Sequence, residues 1–230
     1  MKRLIQLFLV VMICAIASSE SNAQGKNSPE YIRQLNVYKK AKFYNDPITA
    51  RYALYNLIEL DPADASLMDS LAYEYYSFRQ FTSALIVTLE ALKRDGNNLS
   101  MLELKAICWE NIGDKNKALD SYESLFLKNN SSVTLYKIAF LQLDLKRYAE
   151  ATTSADILLG KTDISDIEIT FGKKDETTQN VPLKAAVHNL KGLIAKDQGN
   201  TTEAKSQFQK AIDTSPGFEV ALTNLTELDG

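Results

Sequence analysis

LKAICWENIGDKNKALDSYESL, residues 104–125, is the stretch that decides the fold. Its apolar and small residues recur at steps of three and four, which is the spacing of one face of an α-helix. Gly113 and Asp114 interrupt this spacing, and Asp is a favoured residue just before the first turn of a helix. The stretch therefore predicts two helices joined by a short turn, with Ala106 and Ala118 small enough to let the two backbones cross closely.

This two-helix pattern repeats along the chain. An alanine occupies the same place of the second helix in five copies, at Ala50, Ala84, Ala118, Ala151 and Ala204. The first four alanines are 34, 34 and 33 residues apart, and the fifth follows 53 residues later, which is one period plus an insertion. A second apolar row follows at Leu57, Ala91, Leu125, Leu158 and Ala211. The repeat predicts five helical hairpins, each of which must stack on its neighbour to bury its apolar face.

At these positions the chain resembles the tetratricopeptide repeat family, whose unit is a helix–turn–helix of about 34 residues. The third and fifth copies match the family best, through Leu104, Ala106, Trp109, Gly113, Ala118, Tyr122 and Leu125, and through Leu190, Gly192, Gly199, Ala204, Phe208 and Pro216. The resemblance implies an all-α, right-handed solenoid of about five hairpins plus a C-terminal capping helix. It also implies a non-catalytic scaffold for protein–protein interaction, of the exported bacterial type.

The pattern divides the chain into four parts. The predicted parts are a signal peptide over residues 1–23, repeats 1–4 over residues 29–159, an insert over residues 160–181, and repeat 5 with the capping helix over residues 182–228. In the insert, Ile167, Ile169 and Phe171 alternate with polar residues, which predicts a short strand. The insert is either a loop that folds its apolar residues over the junction between repeats, or a partner-binding loop. We expect that deletion of residues 163–178 leaves the helices nearly intact.

The N-terminal residues have the pattern of an export signal. Lys2 and Arg3 precede an apolar run over residues 4–17, and small residues at the ends of the segment 21–23 mark a cleavage site. The apolar run is too short to cross a bilayer comfortably. We expect cleavage before Gln24, a location in the periplasm or outside the cell, and no membrane span in the mature form.

Cysteine and histidine are too scarce to build most catalytic or metal sites. The chain has two Cys and one His. A lipid anchor at Cys14 would need a small residue before it, and Ile13 stands there, so we expect no anchor. Cys108 and His188 are expected to be packed structural residues. The sequence therefore predicts no enzyme, no metal site and no cofactor.

The charge of the chain bears on the class of partner. The net charge is −3, whereas a nucleic-acid-binding protein usually carries a basic surplus. We therefore expect a protein or peptide partner of unidentified sequence and no nucleic acid.

The resemblance also implies which residues face a concave groove. The places that line the groove in the family hold Asp69, Tyr73 and Tyr76 in repeat 2, Glu103, Ile107 and Glu110 in repeat 3, and Tyr136 and Phe140 in repeat 4. Acidic and aromatic side chains at these places predict a groove for an extended segment with apolar and basic side chains. The other interpretation of these aromatics is that the solenoid's curvature or the insert covers them. The alternative function is a structural subunit of a cell-envelope complex that docks through its ends and convex face.

Overall fold

The structure is a computed structural model that describes residues 25–228. The predicted signal peptide and Cys14 lie outside the described residues. The helices run over Pro29–Phe43 (α1), Pro47–Leu60 (α2), Ala65–Ser77 (α3), Phe81–Arg94 (α4), Leu99–Ile112 (α5), Lys115–Asn129 (α6), Ser132–Asp144 (α7), Tyr148–Leu159 (α8), Leu183–Asp197 (α9), Thr201–Thr214 (α10) and Glu219–Thr226 (α11). A short 3₁₀ turn, Asp163–Ser165, and two strands, Glu168–Gly172 (β1) and Thr178–Pro182 (β2), separate α8 from α9. The all-α repeat fold is confirmed, with one small β-hairpin added.

The described residues form two compact units, one ending at Ile112 and the other beginning at Gly113. The first unit contains α1 to α5, in which neighbouring helices pack in pairs, α1 on α2, α3 on α4, and α4 on α5. Its core is made of leucine, methionine and tyrosine side chains between the helices, including Tyr31, Leu54, Leu71, Met101 and Leu104. Burying side chains of this size stabilises the unit by about 1.5–3 kcal/mol each.

The second unit contains α6 to α11 and the β-hairpin. Helix α7 packs on α6 and α8, α9 packs on α8 and α10, and α10 packs on α11. Gly192 of α9 lies against the ring of Phe208 in α10, and Phe208 is fully buried. The close approach of these two helices therefore depends on the missing side chain at position 192.

The register predicted from the repeat is confirmed by burial. All five alanines of the second helices, Ala50, Ala84, Ala118, Ala151 and Ala204, are completely buried. The turn before each second helix contains one residue with a positive φ angle, at Asn45, Arg79, Gly113, Lys146 and Gly199. These positions repeat with the same spacing as the alanines. The left-handed residue therefore recurs in the turn of every repeat, even where that residue is not glycine.

The insert forms an antiparallel β-hairpin. Ile169 pairs with Val181 and Phe171 with Gln179. The strand predicted around Ile169 is therefore confirmed, whereas β2 gave no such signal because its residues before Val181 are polar. The side chains of Ile169, Phe171 and Val181 pack on the core of the second unit, and the Phe171 and Phe218 ring centroids are 4.8 Å apart.

The insert is thus a part of the core rather than a detachable loop. Ile164, in the 3₁₀ turn, is only 2% exposed and lies in the same core cluster as Val181 and Leu183. Deletion of residues 163–178 would remove Ile164 and Phe171 from this cluster. We therefore expect that deletion to destabilise the second unit, contrary to the expectation from the repeat pattern.

A single substitution tests this role of the insert. Ile164→Ala should lower the free energy of unfolding by about 3 kcal/mol, because it leaves a cavity in the core. Ile157→Ala, at a position of α8 that is 52% exposed, is the matched control and should change it by less than about 0.5 kcal/mol. Denaturant unfolding monitored by circular dichroism measures both. Similar midpoints for the two variants would show that the insert is not core.

Candidate functional site

Two helices of the first unit present six of the eight predicted groove residues. Asp64 caps α3 by accepting a hydrogen bond from the backbone N–H of Ser66 at 3.0 Å, and Asn98 does the same for α5 with Met101 at 3.2 Å. Steps of three and four then keep the predicted residues on one face of each helix. We call this set the acidic tyrosine surface: Asp69, Tyr73 and Tyr76 of α3, and Glu103, Ile107 and Glu110 of α5.

Tyr73 lies at the middle of the acidic tyrosine surface. Its side chain is 44% exposed. Partial burial raises the pKa of the Tyr73 hydroxyl, a hydrogen bond with Ser100 opposes that rise, and the nearby charges of Glu103 and Asp69 add to it. The groups that shift this pKa belong to both α3 and α5, so one accessible aromatic ring lies in a negative environment formed by the two helices.

The other side chains of the acidic tyrosine surface differ in solvent exposure. Glu103 and Glu110 are exposed, whereas Tyr76 and Ile107 are half-buried. The Tyr76 ring packs against Phe81 with 5.9 Å between ring centroids. The surface therefore combines exposed carboxylates with apolar side chains that are already held in place.

The carboxylate of Asp69 is incompletely hydrogen-bonded. Its Oδ2 accepts a hydrogen bond from Nδ2 of Asn98 at 2.7 Å. Its Oδ1 is enclosed and has no hydrogen-bond donor among the residues that the structure describes. A buried oxygen without a donor costs about 1–3 kcal/mol, and because Oδ1 is enclosed a ligand cannot reach it unless the Asp69 side chain moves. Sequence reasoning did not identify Asn98, although an Asn before the first turn of a helix was a visible signal.

In the second unit, the structure separates the two predicted aromatic residues. Phe140 is 40% exposed, but Tyr136 is 7% exposed and shares a core cluster with Ile164 and Val181 of the insert. Burial raises the pKa of the Tyr136 hydroxyl far above its usual range. The prediction that Tyr136 is an accessible anchor is corrected, because the insert and its own core enclose the ring.

The other candidate residues have structural surroundings. Nδ1 of His188 is 2.9 Å from Oε1 of Gln207, and burial lowers the pKa of this imidazole. Cys108 is completely buried, and burial raises the pKa of its thiol to about 11. Such a thiol stays protonated at neutral pH and is a poor nucleophile. Among residues 25–228, no group of three His, Cys, Asp or Glu residues is placed to hold a metal ion.

Each helix between residues 25 and 228 is too short or too polar to cross a bilayer.

The architecture is similar to that of known repeat proteins. Residues 185–218 match the family model of the tetratricopeptide repeat. A solved tetratricopeptide repeat protein from Parabacteroides merdae ATCC 43184 is 21% identical and has a TM-score of 0.69, and the match covers 86% of this chain and 72% of that one. YrrB, described as a tetratricopeptide repeat protein with an unusual peptide-binding site, is 15% identical with a TM-score of 0.65, covering 90% of this chain and 95% of that one.

A third solved structure is MamA from Desulfovibrio magneticus RS-1, which is 11% identical with a TM-score of 0.64, covering 84% of this chain and 98% of that one. No curated protein matches the chain by sequence. At sequence identities this low, the comparisons show a shared fold. They do not identify the partner of this chain.

Proposed function

We propose that this chain, which matches the tetratricopeptide repeat model over residues 185–218 and shares the fold of solved tetratricopeptide repeat proteins, is a non-catalytic scaffold. It holds an extended segment of a partner protein on the acidic tyrosine surface. The fold itself is that of protein–protein interaction scaffolds. The observation that carries the proposal is the exposed Tyr73 ring, which lies near the carboxylates of Asp69 and Glu103. An extended segment with apolar and basic side chains offers both contact to the ring and cationic groups to these carboxylates.

The chemistry of the surface defines the segment it would accept. Glu103 and Glu110 attract lysine or arginine side chains, and Tyr73, Tyr76 and Ile107 offer apolar contact. Exposed tyrosines are frequent anchors in protein interfaces. YrrB, with its peptide-binding site, is a precedent for peptide recognition on this fold. The proposed ligand is therefore an extended segment in which apolar and basic residues alternate.

A charge reversal tests the proposed ligand. Glu103→Lys should weaken binding of a short peptide of alternating Leu and Lys by about tenfold, equivalent to ~1.4 kcal/mol. Glu90→Lys changes the net charge equally at an exposed position of α4 and should have little effect. Fluorescence anisotropy measures peptide binding to the two variants. A peptide of alternating Leu and Glu should bind neither variant. Equal loss in both variants would mean that only net charge matters, which would overturn the proposed site.

The proposal includes export. Residues 1–23 carry the pattern of a cleaved signal, and we infer that the mature protein begins at Gln24 and works in the periplasm or outside the cell. Intact-mass measurement of the protein from the envelope and culture fractions is expected to give a chain that starts at Gln24. A chain that keeps Met1, or one with a diacylglycerol on Cys14, would contradict this.

A second function is favoured by one observation. Helix α4 exposes Ile86 and Leu89, and helix α2 exposes Tyr52 and Tyr55. Exposed apolar faces of this kind mark interaction sites. In this alternative the protein is a structural subunit of a cell-envelope complex that docks through these helices. Ile86→Ser would then release the protein from a large complex, whereas Tyr73→Ala would not.

A further inference from the structure

The first helical hairpin, α1 and α2, differs in charge from the rest of the chain. Between Lys26 and Leu60 there are six basic residues and three acidic ones, although the whole chain has a net charge of −3. Glu59 is exposed near the end of α2, and the other two acidic residues are engaged within the hairpin. Glu30 accepts hydrogen bonds from Arg33 and Gln34 at 2.9 and 2.8 Å, and the Asp46 carboxylate accepts one from the backbone N–H of Thr49 at 3.1 Å. A basic surface therefore stands on an otherwise acidic protein.

Two of the basic residues stay available for an external anion. Lys26 is paired with Asp64, and Lys42 with Glu74. Lys39 and Lys40 are exposed, and neither has a carboxylate within 4 Å among residues 25–228. Both stand one helical turn before the end of α1.

The most exposed apolar residues of the hairpin lie directly beside these lysines. Phe43 is 83% exposed, Tyr44 is 74% exposed and Ile48 is 75% exposed. The Phe43 and Tyr44 rings meet edge to face with 5.2 Å between centroids. We call Lys39, Lys40, Phe43, Tyr44 and Ile48 the basic aromatic knob.

The backbone of the knob is held rigidly. The N–H of Tyr44 donates to the carbonyl of Lys40 at 2.9 Å, and the N–H of Asp46 donates to the carbonyl of Ala41 at 2.8 Å. Asn45 adopts the left-handed conformation with φ 54°, and Pro47 begins α2. Little backbone entropy would be lost when the knob meets a partner, because the turn is already ordered.

The shape and charge of the knob favour a lipid surface over a protein. Aromatic rings prefer the boundary between headgroups and acyl chains, and lysines beside them are attracted to anionic headgroups. Protein partners usually enclose such anchors in pockets, whereas fluid lipid accommodates protruding rings of any outline. We propose that the basic aromatic knob docks the protein on an anionic phospholipid membrane, with Phe43, Tyr44 and Ile48 at the interface and Lys39 and Lys40 on the headgroups. This goes beyond the proposed peptide binding and is independent of it.

Vesicle co-sedimentation tests the proposal. The probes are phosphatidylcholine vesicles with and without phosphatidylglycerol, and the protein is the product of the full chain, with its N-terminal residue fixed by intact mass in every variant. The wild type should sediment with the anionic vesicles, less at high salt, and much less with neutral ones. Phe43→Ser with Tyr44→Ser, and Lys39→Glu with Lys40→Glu, should each lower the partition coefficient by about tenfold or more.

Matched controls test whether the loss of any exposed apolar side chain, or of any exposed positive charge, weakens vesicle binding equally. Ile86→Ser with Leu89→Ser removes exposed apolar side chains of α4, and Lys93→Glu with Lys137→Glu reverses two exposed lysines elsewhere. Both controls should stay within about twofold of the wild type. Absence of wild-type binding to anionic vesicles, or equal losses in the knob and control variants, would overturn the proposal. Knob-dependent binding of an acidic protein without any vesicle binding would overturn it as well.

A second measurement does not depend on a loss of binding. Phe43→Trp places an indole at the tip of the knob and Ile86→Trp places one on α4. The emission of the native Trp109, recorded on the wild type with the same vesicles, is subtracted from both. Anionic vesicles should shift the emission of the position-43 tryptophan to shorter wavelength, because the indole leaves water, and should leave the position-86 emission unchanged. An unshifted position-43 emission in the presence of saturating anionic vesicles would refute the docking geometry.

Discussion

Gly192→Val is expected to lower the free energy of unfolding by about 3 kcal/mol. Any Cβ atom at position 192 would overlap the ring of Phe208 and lie 2.9 Å from its Cζ atom. The ring is completely buried, so it cannot move aside into solvent, and helices α9 and α10 would have to separate. Denaturant unfolding followed by circular dichroism measures the effect.

Two further variants control this result. Gly160→Val adds the same side chain where a Cβ atom would make ordinary contacts at 3.5 and 3.7 Å, and it should change stability by less than about 1 kcal/mol. Phe208→Leu combined with Gly192→Val should recover part of the loss, since the smaller side chain makes room. Equal destabilisation by both valines, or strict additivity in the double variant, would show that the contact between Gly192 and Phe208 is not the cause.

Tyr73→Ala is expected to weaken capture of the native partner by about 30-fold, equivalent to ~2 kcal/mol. The substitution removes the accessible ring at the middle of the acidic tyrosine surface and leaves the buried face of α3 unchanged. Surface plasmon resonance with the alternating Leu and Lys peptide, or quantitative recovery of the native partner, measures the loss.

The matched control for Tyr73 is Tyr52→Ala. Tyr52 is 64% exposed on α2, outside the acidic tyrosine surface, and its loss should leave partner recovery unchanged. Unfolding midpoints of both variants should remain close to that of the wild type. Unimpaired capture by Tyr73→Ala would instead favour docking through the exposed apolar residues of α2 and α4.

Because Tyr136 is buried, its substitution affects stability as well as binding. The repeat pattern places Tyr136 among the residues that face the groove. Because the ring is 7% exposed, Tyr136→Ala should now lower stability first. Its effect on capture therefore cannot be used to test the site.

The sequence predicted the repeat because the physical cause is local. A helix crossing tolerates only a small residue, so Ala50, Ala84 and Ala118 recur with the length of one hairpin and are all completely buried. The helical face that carries Asp69 and Tyr73 follows from the same register. These features need no knowledge of distant contacts.

The parts that escaped prediction depend on contacts between distant residues. Tyr136 is enclosed because Ile164 and Val181 return to the core from the insert, and the insert lies outside the repeat. The state of the Asp69 carboxylate depends on such a contact, because Asn98, 29 positions along the chain, donates to its Oδ2 and its Oδ1 is enclosed without a donor among the described residues. The basic aromatic knob could not be predicted from the sequence, since aromatic residues such as Phe43 and Tyr44 are equally compatible with core positions.

Site-specific photo-crosslinking in the protein's own cell tests the scaffold account most directly. A photoreactive phenylalanine analogue at position 73, with the same analogue at position 86 on α4 for comparison, would be activated and the crosslinked peptide identified by mass spectrometry. The account predicts one dominant partner from position 73, joined through an extended segment with basic and apolar side chains, and no such product from position 86. A partner captured only from position 86, or an acidic segment captured from position 73, would contradict it.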